Sequence, residues 1–79
     1  MSQPQEVPIR DASIRLGQLL KLANLVQDGA MARMVIENGE VTVDGETVMR
    51  RGVQVRPGSV VKYADADLLV TSEPHPPAG

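Results

Sequence analysis

Between Ser13 and Val26 the apolar residues Leu16, Leu19, Leu20, Ala23 and Val26 recur at three- and four-residue spacing. That period gathers them on one side of a helix, so the pattern predicts a first helix with Asp11 or Ser13 as its N-cap. The opposite side carries Ser13, Gly17, Lys21 and Asn24, a stripe of small polar residues with a single positive charge. Gly17 inside a helix costs about 1 kcal/mol relative to Ala. Either the sequence tolerates that loss or another group approaches the backbone there.

Gln27-Asp28-Gly29 reads as the break before a second helix, capped by Asp28 and running through Met31, Arg33, Met34, Val35 and Ile36 to a stop at Asn38-Gly39. So tight a link makes the two helices cross as a corner. After Gly39 the period drops from about 3.6 to about 2. Val41 and Val43 alternate with Glu40 and Thr42, Asp44-Gly45 follows, and Glu46-Thr47-Val48 returns. Asp-Gly between alternating segments signals a hairpin, because a type I′ turn needs positive φ at both central positions. Val53 and Val55 resume a strand, Pro57-Gly58 supplies a type II turn, Val60-Val61 begins another strand, and Leu68–Val70 forms a last short one. The fold expected is α+β, with two short N-terminal helices packed on a small, mainly antiparallel sheet of about four to five strands. Residues 1–8, with two prolines and no periodicity, and the Pro-rich residues 72–79 read as flexible tails around one domain at 9–71.

With 79 residues the chain has room for one domain. It holds one Tyr and no Phe or Trp, so the core must be aliphatic, with Met31 and Met34 as filler. The absence of cysteine excludes disulfides, thiolate zinc sites and cysteine nucleophiles, and suits a reducing compartment. The first residues lack the basic start and apolar stretch of a signal peptide, and no apolar run approaches the roughly 18 residues of a membrane span. A soluble, cytoplasmic monomer with no membrane association is expected. The one histidine, His75, stands between prolines where nothing orients it. No phosphate loop, metal-spaced ligand cluster or nucleophile with a neighbouring base is present. The sequence therefore predicts no enzyme, no cofactor, no metal site and no small-molecule substrate.

A net charge of −2 counts against nucleic acid at first sight, since phosphate binding depends on Lys and Arg. The distribution of that charge points the other way. From Ile9 to Lys62 all eight basic residues stand against six acids, and the remaining four acids lie in the flanks. A mildly basic body of this kind can present a positive face, although its field is weak.

Several short motifs occur in fixed order: Ile14-Arg15-Leu16, Leu19-Leu20-Lys21, Ala32-Arg33, Val35-Ile36, Glu37-Asn38-Gly39, Val41-x-Val43-Asp44-Gly45, Arg50-Arg51 and Val55-x-Pro57-Gly58-x-Val60. As an ordered set they resemble the S-four RNA-binding domain family, closest to its short stand-alone bacterial members, over Ile9 to Val70. The resemblance implies an alpha-L motif, in which the helix pair and the adjoining hairpin form an RNA-contacting surface. Carried over by position, it points to Arg15 and Lys21 in the first helix, Arg33 in the second, and Arg50 with Arg51 after the hairpin. It also implies an RNA partner, structured or ribosomal.

The chemistry of these side chains fits that task. Arg grips a phosphate through two parallel hydrogen bonds, whereas Lys21 acts as a point charge. Adjacent Arg50 and Arg51 would point to opposite faces of a strand, so a loop is expected there, with Gly52 following. With Tyr63 standing alone and no aromatic interleaving to stack bases, single-stranded reading is disfavoured against structured RNA. Blander roles compete at each position. Arg33 and Glu37 are spaced to pair on a helix surface, Arg15 and Lys21 can be plain solvated charges, and Asp65 and Asp67 can solvate a strand edge. Two other functions also compete: a protein-interaction adaptor on the same fold with little or no RNA binding, and a β-grasp carrier. Carriers of that type begin with a hairpin, whereas here the helices are expected first.

Overall fold

The computed structural model describes residues 4–50 and 52–73. The first element is a strand. Val7 and Ile9 are buried while Glu6 and Pro8 face outward, an alternation of period two that builds β1 (Gln5–Ile9). It lies parallel to the last strand, β7 (Ala66–Ser72), with Val7 opposite Val70. The expected order, helices first, is therefore corrected: two strands precede them. Pro8 is compatible with a strand because β1 sits at the sheet edge, where a missing N–H removes no required bond. Beyond β7, the Glu73 N–H donates to the Ile9 carbonyl at 2.9 Å, and Arg10 Nε donates to Glu73 Oε2 at 3.0 Å. Ordered structure thus extends past both limits of the domain expected from the sequence, while His75 lies outside the described residues.

The second strand, β2 (Ile14–Arg15), pairs antiparallel with β5 (Gln54–Val55), and the Leu16 N–H donates to the Val53 carbonyl at 2.9 Å. This pairing holds Ile14 and Arg15 extended, so the first helix, α1 (Leu16–Leu22), starts later than its periodicity predicts. Arg15 occupies the N-cap and makes no side-chain capping bond, which corrects the assignment of Asp11 or Ser13. Ser13 instead donates its hydroxyl to Gln54 Oε1 at 2.7 Å.

The first helix also ends earlier. Asn24 adopts φ +64, the Asn24 N–H donates to the Lys21 carbonyl, and the Leu25 N–H donates to the Leu20 carbonyl, each at 3.0 Å. These two bonds are the Schellman closure of a helix, with Asn in the left-handed position. Ala23 and Val26 remain buried although they lie beyond it. Asp28 then caps α2 (Gly29–Glu37), accepting from the Met31 N–H at 2.8 Å as the sequence predicts. A second Schellman closure terminates α2, with Gly39 at φ +75 donating to the Ile36 carbonyl and Glu40 to the Val35 carbonyl.

From there the hairpin follows its expectation. β3 (Val41–Val43) and β4 (Glu46–Thr47) flank Asp44-Gly45, both at positive φ (+51 and +85). Asp44 also accepts from the Val60 N–H at 2.9 Å, which ties the turn to β6 (Val60–Tyr63). The Pro57-Gly58 turn places Gly58 at φ +97, and the Gly58 N–H donates to the Val70 carbonyl at 2.7 Å. The main sheet has the order β1-β7-β6-β3-β4, antiparallel except for the β1–β7 pair.

One face of that sheet presents Val7, Val41, Val61, Leu68 and Val70 to Leu16, Leu19, Leu20, Val35 and Ile36 of the helices. Among the described residues no buried side chain is polar or charged, so the core is held by aliphatic packing alone. Met31 packs against it, but Met34 is 57% exposed, so only the first of these two methionines fills the core. No helix among the described residues is long and apolar enough to cross a membrane.

Two substitutions test this packing in denaturant titrations. Leu20→Ala, at a fully buried position, is expected to cost about 2–5 kcal/mol. Asp28→Ala, which removes the cap of α2, is expected to cost about 1 kcal/mol, and an effect near zero would show that the cap does not set the start of that helix.

Candidate nucleic-acid interface

The delayed start of α1 leaves Arg15 at its N-terminal end with an exposed side chain that does no capping. One and two turns along the same helix lie Gln18 and Lys21, beside Gly17. The crossing of the helices brings Gly29 and Ala32 of α2 opposite this stripe, and Gly52 approaches from the segment leading into β5. These residues enclose an open cleft of about 300 Å³. Three of the seven lining residues are glycine and one is alanine, so the concavity exists because side chains there are small. Among the described residues its lining includes two cations, Arg15 and Lys21, and no carboxylate. Gly17, the expensive residue within the helix, faces this cleft, which accounts for a small residue being placed there.

Gly52 also lines a second hollow, of about 560 Å³, with Glu37, Met49, Arg50 and Val53. Glu37 in turn lines a third, of about 280 Å³, with Ala30, Arg33, Met34 and Asn38. Gly52 borders the first and second depressions and Glu37 the second and third, so the three are neighbours and form a band of separate hollows. Arg15 and Lys21 stand at one end, Arg50 in the middle and Arg33 at the other end. Arg50 lies in irregular chain, as expected for the first of two adjacent arginines, whereas Arg51 lies outside the described residues.

The four described candidates are not equivalent. Arg33 Nε donates to Glu37 Oε2 at 2.9 Å in an exposed i,i+4 ion pair, so a ligand would compete with Glu37 for it. Arg15, Lys21 and Arg50 have no carboxylate partner within salt-bridge distance among the described residues. Two further cations stand away from these hollows. Arg10 is paired with Glu73, and Lys62 stands on the outer face of the sheet, with Thr42 and Asp67 as its cross-strand neighbours.

Sequence reasoning did not single out Gln18 or Met49. Gln18 stands three residues before Lys21, a signal available from helical spacing. Met49 carries no periodic signal, because it lies in a segment without regular structure.

The chain matches the family model described as S4 domain over residues 7–71. It is 41% identical over 56 residues to the "Probable ribosome maturation protein RlbA" of Bacillus subtilis strain 168, covering 71% of this chain and 79% of that protein. It is also 39% identical over 61 residues to the tyrosine–tRNA ligases of Burkholderia lata and Cupriavidus pinatubonensis. Those alignments cover 73% of this chain but only 15% of each ligase, so the likeness concerns one module of a much larger enzyme. The ordered helix pair, the Asp-Gly hairpin and the match along most of the chain agree, and the chain belongs to the S4 domain family.

Proposed function

We propose that this protein binds structured RNA in the cytoplasm, as a non-enzymatic factor in ribosome maturation, through the band that begins at the Arg15–Lys21 cleft. The carrying observation is that two cations from opposite ends of α1 converge, without a carboxylate among the lining residues, on a concavity formed by three separate parts of the chain. Phosphates approach such a site favourably, and its position at a helix crossing fixes their spacing. Arg50, and Arg51 on the strength of the family resemblance, extend the contact, while Arg33 contributes little until its pair with Glu37 opens. The ribosomal context is supported by the likeness to the Bacillus subtilis protein. The ligases' catalytic activity is not carried over, since this chain spans only 15% of their length.

The test is the salt dependence of affinity for a ribosomal RNA hairpin. In a plot of log affinity against log salt, Arg15→Ala, Lys21→Ala and Arg50→Ala are each expected to flatten the slope by roughly one unit. Arg33→Ala is expected to change it by less than half of that, and Lys62→Ala, on the outer face of the sheet, not at all. Equal slopes for all five variants would contradict the assignment. Recovery of proteins but no RNA after crosslinking in cells would favour the adaptor reading.

A further inference from the structure

One cation lies outside both the family motifs and the band of hollows. Arg56 occupies the position left open in Val55-x-Pro57-Gly58, and its backbone is held on both sides. Ahead of it, β5 pairs with β2 in a register that sets Ile14 opposite Val55 and Arg15 opposite Gln54. Behind it, the Ser59 N–H donates to the Arg56 carbonyl at 3.1 Å and closes the Pro57-Gly58 turn. A residue before proline is restricted to extended conformations, so the alternation of β5 carries through Arg56. Val55 is buried and Ile14 packs against the core beside it, whereas Arg15, Gln54 and Arg56 are exposed. The outer face of this two-stranded ribbon therefore carries Ser13, Arg15, Gln54 and Arg56. A bond across it shows that side directly, since Ser13 Oγ donates to Gln54 Oε1 at 2.7 Å along one diagonal. Arg15 and Arg56 take the other diagonal, where side chains stand roughly 7–8 Å apart. No acid is among the four, and neither arginine has a carboxylate within salt-bridge distance among the described residues.

We propose that an RNA strand passing the Arg15–Lys21 cleft continues across this ribbon, with Arg56 holding a further phosphate of that strand; the proposal rests on the RNA-binding reading above. Arg15 lines the cleft as well as the ribbon, so the two surfaces meet at that residue. Each guanidinium can grip a phosphate through paired N–H donors. Gln54 accepts from Ser13 through its amide oxygen, which leaves the two N–H donors of its amide nitrogen for a phosphate or ribose oxygen. Contacts of this kind fix the position of a strand and do not read its bases. The ribbon thus adds affinity and register without sequence preference.

Fluorescence anisotropy against a ribosomal RNA hairpin, repeated over a range of salt, tests the proposal. Arg56→Ala is expected to flatten the slope of log affinity against log salt by roughly one unit, as Arg15→Ala does, and Arg56→Lys to keep the wild-type slope. Gln54→Glu sets a carboxylate opposite Arg15 while still accepting from Ser13, so it is expected to weaken binding at least as much as Arg15→Ala. The loss in Arg56→Ala is expected to be equal for a hairpin of unrelated sequence. Gln54 and Arg56 are exposed, so the variants should fold, which circular dichroism checks. A wild-type slope in Arg56→Ala beside a flattened one in Arg15→Ala overturns the ribbon track and leaves the RNA-binding reading standing. Flattening that Arg56→Lys shares overturns the phosphate contact. No binding by the wild-type protein at low salt overturns both readings.

Discussion

The candidate surface depends on how two short helices cross, and a handful of backbone hydrogen bonds together with the packing beneath them hold that crossing. α1 spans seven residues and α2 nine, too short to be stable alone, so tertiary contacts must hold both. The Schellman closure at Asn24 and the Asp28 cap define where one helix ends and the other begins. Beneath them, Leu16, Leu19 and Leu20 lock onto Val35 and Ile36 and onto the sheet. At the far end of α1, the pairing of Ile14 and Arg15 with Gln54 and Val55 draws in the segment that carries Arg50 and Gly52. Loss of any of these anchors would separate the groups that line the cleft.

Charge placement compensates for a low charge total. The chain is acidic overall, at −2, yet among the described residues the Arg15–Lys21 cleft has no acidic lining residue. Several of its acids have structural duties. Asp28 caps a helix, Asp44 ties the hairpin turn to Val60, and Glu73 holds Arg10 at the edge of the sheet. Under the proposed function, a surface of this kind would steer RNA weakly at long range and rely on contact geometry, so discrimination by shape should exceed discrimination by charge.

Much of this was legible in the sequence where the signal is local. Asp44-Gly45, Pro57-Gly58, the Asp28 cap and the Asn38-Gly39 stop each act through the conformation of their own residues, and each takes its expected form. The failures share a cause, since they depend on partners distant in the chain. Gln5–Pro8 look like a tail until β7, some sixty positions later, offers an edge in parallel register. Ser13 to Arg15 carry helical spacing, but β5 holds Ile14 and Arg15 extended. Met34 falls on an apolar period and yet faces solvent, because the core is already filled by Ala32, Val35 and Ile36. Among the site residues, Arg15 and Lys21 could be grouped by helical spacing and family likeness, whereas the pairing of Arg33 with Glu37 was visible only as one of two options.

The central claim is that RNA meets the helix side of the molecule at the crossing, and backbone amide NMR of the labelled protein addresses it most directly. On addition of a structured ribosomal RNA fragment, shifts are expected to concentrate at Arg15, Gly17, Lys21, Gly29, Arg50 and Gly52, with Thr42, Lys62 and Asp67 on the outer face of the sheet unmoved. Shifts centred on that outer face, or no shifts at an RNA excess in low salt, would contradict it.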